Sequence, residues 1–495
     1  MLSALGGCSD DETATSSGFT TQATGTSSSG SSMTSSGTGM GGDLFGTSSS
    51  TGGMGGAPVD CDDDKTDGPV QWSKGYGDGA GQYVHGTAVD GAGNVLVTGS
   101  FAGTVDFGGG PLTSSGGNDV FVAKFDANGQ HIWSKKFGAA QEQSGRSIAT
   151  DAAGNVYVTG NFIGSVNFGG GALGSDACCF FEDMFLMKLD AQGNFVWAKD
   201  FGDGAAQTAR AVVSDAQGNI VMVGDFQGDV NFGGGVISAA GVGGIDIFVA
   251  KFTSAGAHVW SKAYGDAADQ SAEEVVLDAA GNVIITGNAG GVIDFGTGPL
   301  TATGTKAALV AKLSAGGDAM WASLYGAEAR GLGVDVDAAG KVAVAGAFKG
   351  TIDLGGGSLA GGGSNDTVFV ALFDAQGKHT WSHAYGSGSA QGTSVAIDGK
   401  GKVIVGGTFS GAIDFGGSKL TSAGGFDAFL VKLDSVGCHV FSGQFGNEVY
   451  QGTQTVTLDA SGNIVIAGNF AGTADFGAGV LTAAGDDIFV AKFGP

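Results

Sequence analysis

From Val70 onward one unit recurs, and its period limits the folds open to the chain more than any other feature does. With the Asp of an Asp-x-x-Gly turn as marker, copies fall at Asp90, Asp151, Asp215, Asp278, Asp337, Asp398 and Asp459, at steps of 61, 64, 63, 59, 61 and 61 residues. The unit is clearest between Asp151 and Trp197: a turn, an apolar strand (Val156 to Thr159), a glycine-rich crossing, a second strand (Met184 to Leu189) and an aromatic strand ending Phe195-Val196-Trp197. Short strands and tight turns at a fixed period specify a propeller or a solenoid.

The aromatic strand decides between a ring and an open stack. Its landmarks are Trp72, Trp133, Trp197, Trp260, Trp321, Trp381 and Phe441, and the first precedes the first marker Asp. The last copy stops at Pro495, one strand short. An open stack gains nothing from an orphan strand at one end and a missing strand at the other, whereas a ring uses both. The reading is all-β: a seven-bladed β-propeller of four-stranded blades, closed by Val70 to Tyr76 pairing with Ile488 to Phe493, which leaves only short protected edges. Within a blade, strand A covers residues like Ser147 to Thr150, B like Val156 to Thr159, C like Met184 to Leu189, and D is the Trp strand. Asp opens each turn and Gly-Asn supplies the positive φ of a tight hairpin. The segment between B and C, such as Val105 to Leu112, predicts a small hairpin whose Phe covers the blade edge.

The pattern Ala-Val-Asp-x-x-Gly-Asn-Val-x-Val-Thr-Gly, then Asp-Phe, then Asp-x-Phe-Val-Ala-Lys and Gly-x-x-x-Trp-Ser-Lys, resembles the bacterial β-propeller repeat family SBBP across residues 70–495. The resemblance implies seven blades and is nearly silent on function. The chain departs from that family in placing Gly where a proline often follows Asp-Phe.

Composition fits this reading. The 98 glycines follow no collagen-like triplet and go to turns and Gly-Gly-Gly crossings. A net charge of -26, from 48 acidic and 22 basic residues, excludes a nucleic-acid partner, which needs the opposite sign at the phosphates. Many of the acids are turn-forming Asp.

The N-terminus, Met1 to Cys8, resembles the tail of a bacterial lipoprotein signal, with Leu5-Gly6-Gly7-Cys8 as lipobox and Cys8 as the lipidated residue; the basic region of a full signal is absent, so its start is expected upstream or trimmed. Residues 9–69 are rich in Ser, Thr and Gly and lack the apolar groups to offset ordering entropy, so a disordered tether is expected. A flexible tether of about 50 residues spans roughly 40 Å. No segment is long and apolar enough to cross a bilayer as a helix. The expected location is exported and lipid-anchored to the bacterial cell envelope, at the outer membrane, or extracellular; the only membrane contact is the anchor, and a monomer is expected.

In an exported chain the other cysteines, Cys61, Cys178, Cys179 and Cys438, suggest disulfides. The propeller reading puts Cys438 in the C–D turn of repeat 6 and Cys61 just ahead of the closing strand, on one face, with Cys178 and Cys179 on the other. It selects Cys61 with Cys438 and leaves Cys178 and Cys179 as a vicinal bridge or free.

No catalytic pattern is present: no Gly-x-Ser-x-Gly, no His-Glu-x-x-His, no phosphate loop. His131, His258, His379 and His439 occupy one repeat position on outer strands, about 20 Å from the axis, and cannot share an ion. Gln82, Gln143, Gln207, Gln270 and Gln451 stand eight residues before their markers and Gln391 seven before; repeat 5 has Ala329 instead. They form either a candidate ligand rim at the channel mouth or, the favoured reading, amides that satisfy their own loops. Asp119, Asp183, Asp246, Asp366, Asp427 and Asp487, with Asp106 or Asp294, are a weak calcium set better explained by turn capping; no cofactor is otherwise expected. The unrepeated insertion 175–182 carries Phe180 and Phe181, a candidate contact patch. The function expected is a non-enzymatic cell-envelope lipoprotein whose propeller binds a protein or glycan ligand or serves as a scaffold. The alternative is an extracellular polysaccharide hydrolase or lyase with its site on the face of the D–A and B–C loops.

Overall fold

The computed structural model describes residues 68–174, 181–241 and 243–495. Each repeat folds as an antiparallel four-stranded sheet, seven in all. In blade 1, strand A is Gln82–Val89, B Val95–Phe101, C Asp119–Phe125 and D His131–Phe137. Strand A of blades 2 to 7 is Gln143–Thr150, Gln207–Ser214, Gln270–Leu277, Ala329–Val336, Ala390–Ile397 and Gln451–Leu458. Strands B and C are buried on both faces, which is why they read as unbroken apolar runs such as Val-Phe-Val-Ala.

Blade 7 takes its A, B and C strands from the end of the chain and its D strand, Val70–Tyr76, from the beginning. Trp72 pairs with Lys492 and Tyr76 with Ile488, so the expected closure is present. Closure extends to side chains. Asn469 Nδ2 of blade 7 donates to Gln82 O of blade 1 at 2.6 Å, and Thr87 Oγ1 donates to Thr455 Oγ1 at 3.0 Å.

The core lies between blades, with one apolar cluster in each of the seven gaps. The B–C segment of blade 1 is the predicted hairpin, Thr104–Val105 with Leu112–Thr113. Its Phe107 does more than cover the edge of its own sheet. It sits 5.0 Å from Phe121 of the same blade and 5.1 Å from Tyr76 of the neighbouring one, ring centre to ring centre. Phe168 repeats this contact with Phe137, Phe232 with Phe201 and Phe476 with Phe445, so the hairpin aromatic joins blades.

The D-strand tryptophans make a second joint. Trp72 Nε1 donates to Ala127 O in the C–D turn of blade 1 at 3.0 Å, and Trp133, Trp197, Trp260, Trp321 and Trp381 donate to the corresponding carbonyl of the following blade. The seventh position is Phe441, at the junction of blades 6 and 7. In blade 7 the C strand, Asp487–Phe493, is followed by Gly494 and Pro495, with Pro495 against Gly462 as Ala127 is against Gly93, and the D strand comes from Val70–Tyr76.

Candidate binding site in the central channel

Strand A of each blade carries one residue more than the strand opposite. In blade 1, Val84 pairs with Gly99 and Gly86 with Thr98, so His85 is the extra residue of a β-bulge. The same shift makes Arg146, Arg210, Glu273, Leu332, Thr393 and Gln454 the extra residues of blades 2 to 7. A bulge bends its strand and re-aims the side chain it carries. All seven line a cavity of about 590 Å³ that runs down the channel from this ring toward the marker-turn ends of the A strands. Most positions along a blade repeat, yet these seven share no common residue type.

The charge around the ring is uneven. Arg210 Nε donates to Asp225 Oδ1 at 2.8 Å and its Nη1 to Glu273 Oε2 at 3.3 Å, while Ser271 Oγ, with one proton to give, lies within hydrogen-bond distance of both carboxylates. Arg210 is therefore neutralised in place. Arg146 differs: among the described residues it makes no ion pair, and its Nε, shielded from water, has no hydrogen-bond partner. Burial, and then the Arg146 charge, push His85 down to about 3, so its imidazole is neutral at neutral pH.

Two carboxyls not on the bulges line the same cavity. Glu274 follows the bulge of blade 4, where the other blades carry Gly86, Ser147, Ala211, Gly333, Ser394 and Thr455. Asp335 stands two residues before its marker, where the others carry Ala, Val or Thr. The ring encloses both, although each keeps some surface on the lumen. Burial pushes Glu274 up to about 7 and Asp335 to about 6.

The glutamines expected at the channel mouth are elsewhere in character. Gln82, Gln143, Gln207, Gln270 and Gln451 are 0–1 % exposed, so none offers its amide to a ligand in solution. Gln82 Nε2 donates to Asp78 Oδ1 at 2.8 Å and Ala102 O at 3.0 Å, and its Oε1 accepts Asp78 N. Gln207, Gln270 and Gln451 hold their own loops in the same way, and Gln143 Oε1 accepts Ala139 N. The clamp position in blade 6 is Ala390, buried; Gln391 lies one place on and donates to Asp366 Oδ2 at 2.8 Å. The sequence places these amides at the strand start but does not show that loops close over them.

Blade 5 lacks the clamp altogether. Its D–A loop, residues 326–328, is two residues shorter than the loop at 77–81 and brings no acceptor like Asp78. With Ala329 in place of Gln, a notch of about 240 Å³ opens there between Lys306, Lys349, Glu328 and an Arg330–Asp366 ion pair of 2.6 Å.

The remaining candidates are dispersed. His131, His258, His379 and His439 each contact the Ser three residues on, Nε2 to Oγ at 3.0–3.1 Å, in four different blades. Asp106 Oδ1 accepts Gly108 N and Gly110 N, and Asp119 Oδ2 accepts Ser115 N. Among the described residues no group of three or more His, Cys, Asp or Glu is placed to hold a metal ion. Phe181 is 45 % exposed. Cys438 lies in the C–D turn of blade 6 and is disulfide-bonded. Cys8, Cys61, Cys178, Cys179 and Phe180, with the expected signal remnant and tether up to residue 67, lie outside the described residues.

Residues 132–161 match the family described as SBBP, beta-propeller repeat. The SBBP match runs from strand D of blade 1 through strand B of blade 2, and the other blades repeat the same layout. An uncharacterised WD repeat-containing protein of Acanthamoeba polyphaga mimivirus is 29 % identical over 164 residues, covering 29 % of this chain and 12 % of that protein. Regulatory protein FlaEY of Caulobacter vibrioides is 25 % identical over 210 residues, covering 41 % and 21 %. The chain thus spans about a fifth or less of the length of these relatives. Among solved structures, Sqt1 from Chaetomium thermophilum aligns over 87 % of this chain and 99 % of its own, at 10 % identity and a TM-score of 0.40.

Proposed function

We propose that this is a non-enzymatic binding module of the bacterial cell envelope, held by a lipid on Cys8, whose propeller takes a small ligand in its central channel. The observation that carries the binding reading is the bulge ring. The clamps, tryptophan joints and hairpin aromatics recur from blade to blade because the fold needs them, whereas seven side chains aimed into one cavity share no type. The fold places no common demand on them, which leaves them open to serve what the cavity holds. Thermal-shift screening of the full chain against a metabolite library tests it, with Thr393→Phe as a variant that fills the lumen. A ligand that raises the melting temperature of the wild type and not of the filled variant supports the reading; equal shifts in both, or no shift with any compound, overturn it. The anchor is tested by palmitate labelling in a bacterial host, with labelling lost in Cys8→Ser.

A second reading, a hydrolase or lyase acting on extracellular polysaccharide, is favoured by one observation. Glu274 and Asp335 are two enclosed carboxyls with raised pKa values, the kind of pair that acid–base chemistry uses. They lie in the channel and not on the face of the D–A and B–C loops. Turnover of a polysaccharide that Glu274→Gln abolishes would select this reading.

A further inference from the structure

Resting on the channel-binding reading, we propose that the ligand is a small zwitterion, its carboxylate on the Arg146 guanidinium and its ammonium on Glu274 and Asp335.

Arg146 belongs to blade 2 and Asp335 to blade 5, across a seven-membered ring, with Glu274 of blade 4 between them; all three line the same cavity. Arg210, the neighbouring guanidinium, already has Asp225 and Glu273, so Arg146 is the cation of the ring with capacity to spare. The Nε of Arg146 is shielded from water and lacks a partner, while the residue as a whole is half-buried, so a carboxylate arriving from the lumen can bind the guanidinium bidentately and relieve that cost.

The opposite arc has the complementary shortage. Glu274 accepts one backbone N–H, from Val275 at 3.1 Å, and Asp335 accepts those of Val336 and Ile397. Among the described residues neither pairs with a cation. The charged groups that bear on Glu274 are Glu273 of its own strand, Asp335 of blade 5 and, through Glu273, Arg210 of blade 3. An ammonium reaching this arc relieves two like charges at once. Neither acid is required by the fold, since other blades build the same strand with small or uncharged residues at these places. One side of the lumen thus seeks an anion and the other a cation, over a volume that accommodates a short peptide or an amino acid.

Titration calorimetry of the full chain at pH 7 tests this with triglycine, N-acetyl-triglycine, which lacks the ammonium, and triglycine amide, which lacks the carboxylate. Triglycine is expected to bind, and each blocked form to bind at least about tenfold more weakly. Arg146→Met should remove the preference over the amide, and Glu274→Gln the preference over the acetylated form, with the melting temperature lowered in neither. Burial pushes Glu274 up to about 7, and an ammonium beside it favours the charged form, so binding expels a proton. Calorimetry in two buffers of different ionisation enthalpy should show that release in the wild type and not in Glu274→Gln. If the acetylated form binds as tightly as triglycine and Arg146→Met abolishes both, the site takes simple anions: the zwitterion proposal fails and channel binding stands. If none of the three binds, the zwitterion proposal fails, and the library screen decides channel binding separately.

Discussion

At the scale of single residues the fold is held by a contact that the repeat restates. Each Trp indole lies against the Gly of the next C–D turn: a Cβ on Gly193, whose φ is 78°, would meet Trp133 carbons at 2.9–3.1 Å. Gly193→Ala therefore combines left-handed strain with a clash, and chemical denaturation should show a loss of about 2 kcal/mol. Trp133→Phe removes one N–H donor to Ala191 O and should cost about 1 kcal/mol beyond the lost ring area. A buried ion pair ties strand C to the marker turn: Lys312 Nζ lies 2.8 Å from Asp278 Oδ2, and Lys124–Asp90 and Lys492–Asp459 repeat it at the same distance. Burial pushes these Asp carboxyls up, but the Lys and Asn partners outweigh it and hold them below the usual value of 3.8. A depressed folded-state pKa adds stability above the unfolded value, and that stability is lost as pH falls through the folded one. Melting temperature should drop below about pH 4, and Lys312→Met, which strands a buried carboxylate, should cost about 3 kcal/mol at pH 7.

At the scale of elements, the A-strand bulge and the D–A loop separate what is repeated from what is not. The loop-plus-glutamine clamp recurs in five blades, and where blade 5 loses both parts the notch appears. Replacing residues 326–329 with the loop and clamp at 77–82 should close the notch and raise the melting temperature, since a buried amide then bonds its loop where a void stood. A crystal structure of the graft would show Nε2 on the new Asp; a solvent-facing amide would refute this account of the clamp. Clamp burial also explains why a near-ring of glutamines in the sequence does not become a ligand rim. The period fixes where the residue stands along the strand, but its exposure depends on a loop folding back over it.

At the scale of the whole molecule, stability depends on closure, because each apolar cluster is shared by two blades and an open gap exposes half of two of them. Deleting residues up to Tyr76 leaves strand Asp487–Phe493 with an unpaired edge and bares the Phe107 side of blade 1. The truncated chain should lose its single cooperative transition and associate through that edge, which size-exclusion chromatography would show. The disulfide at Cys438 lies on the blade next to the closing one. Its proposed partner is Cys61, nine residues ahead of the closing strand, and a non-reducing peptide map linking Cys438 to Cys178 instead would overturn that pairing.

The sequence alone settled the number of blades, the strand order within each and the closure, because these follow from period and from an offset between the first and last aromatic strands. Both are one-dimensional facts that survive without coordinates. The side chains that reach the channel were decided only by the tertiary structure: a bulge is a count of two residues against one, which exists only when both strands are in register. His85, Arg146 and Glu273 share no letter and so leave no repeat to notice, and the place where the letters disagree became a site only once the ring brought seven such places together.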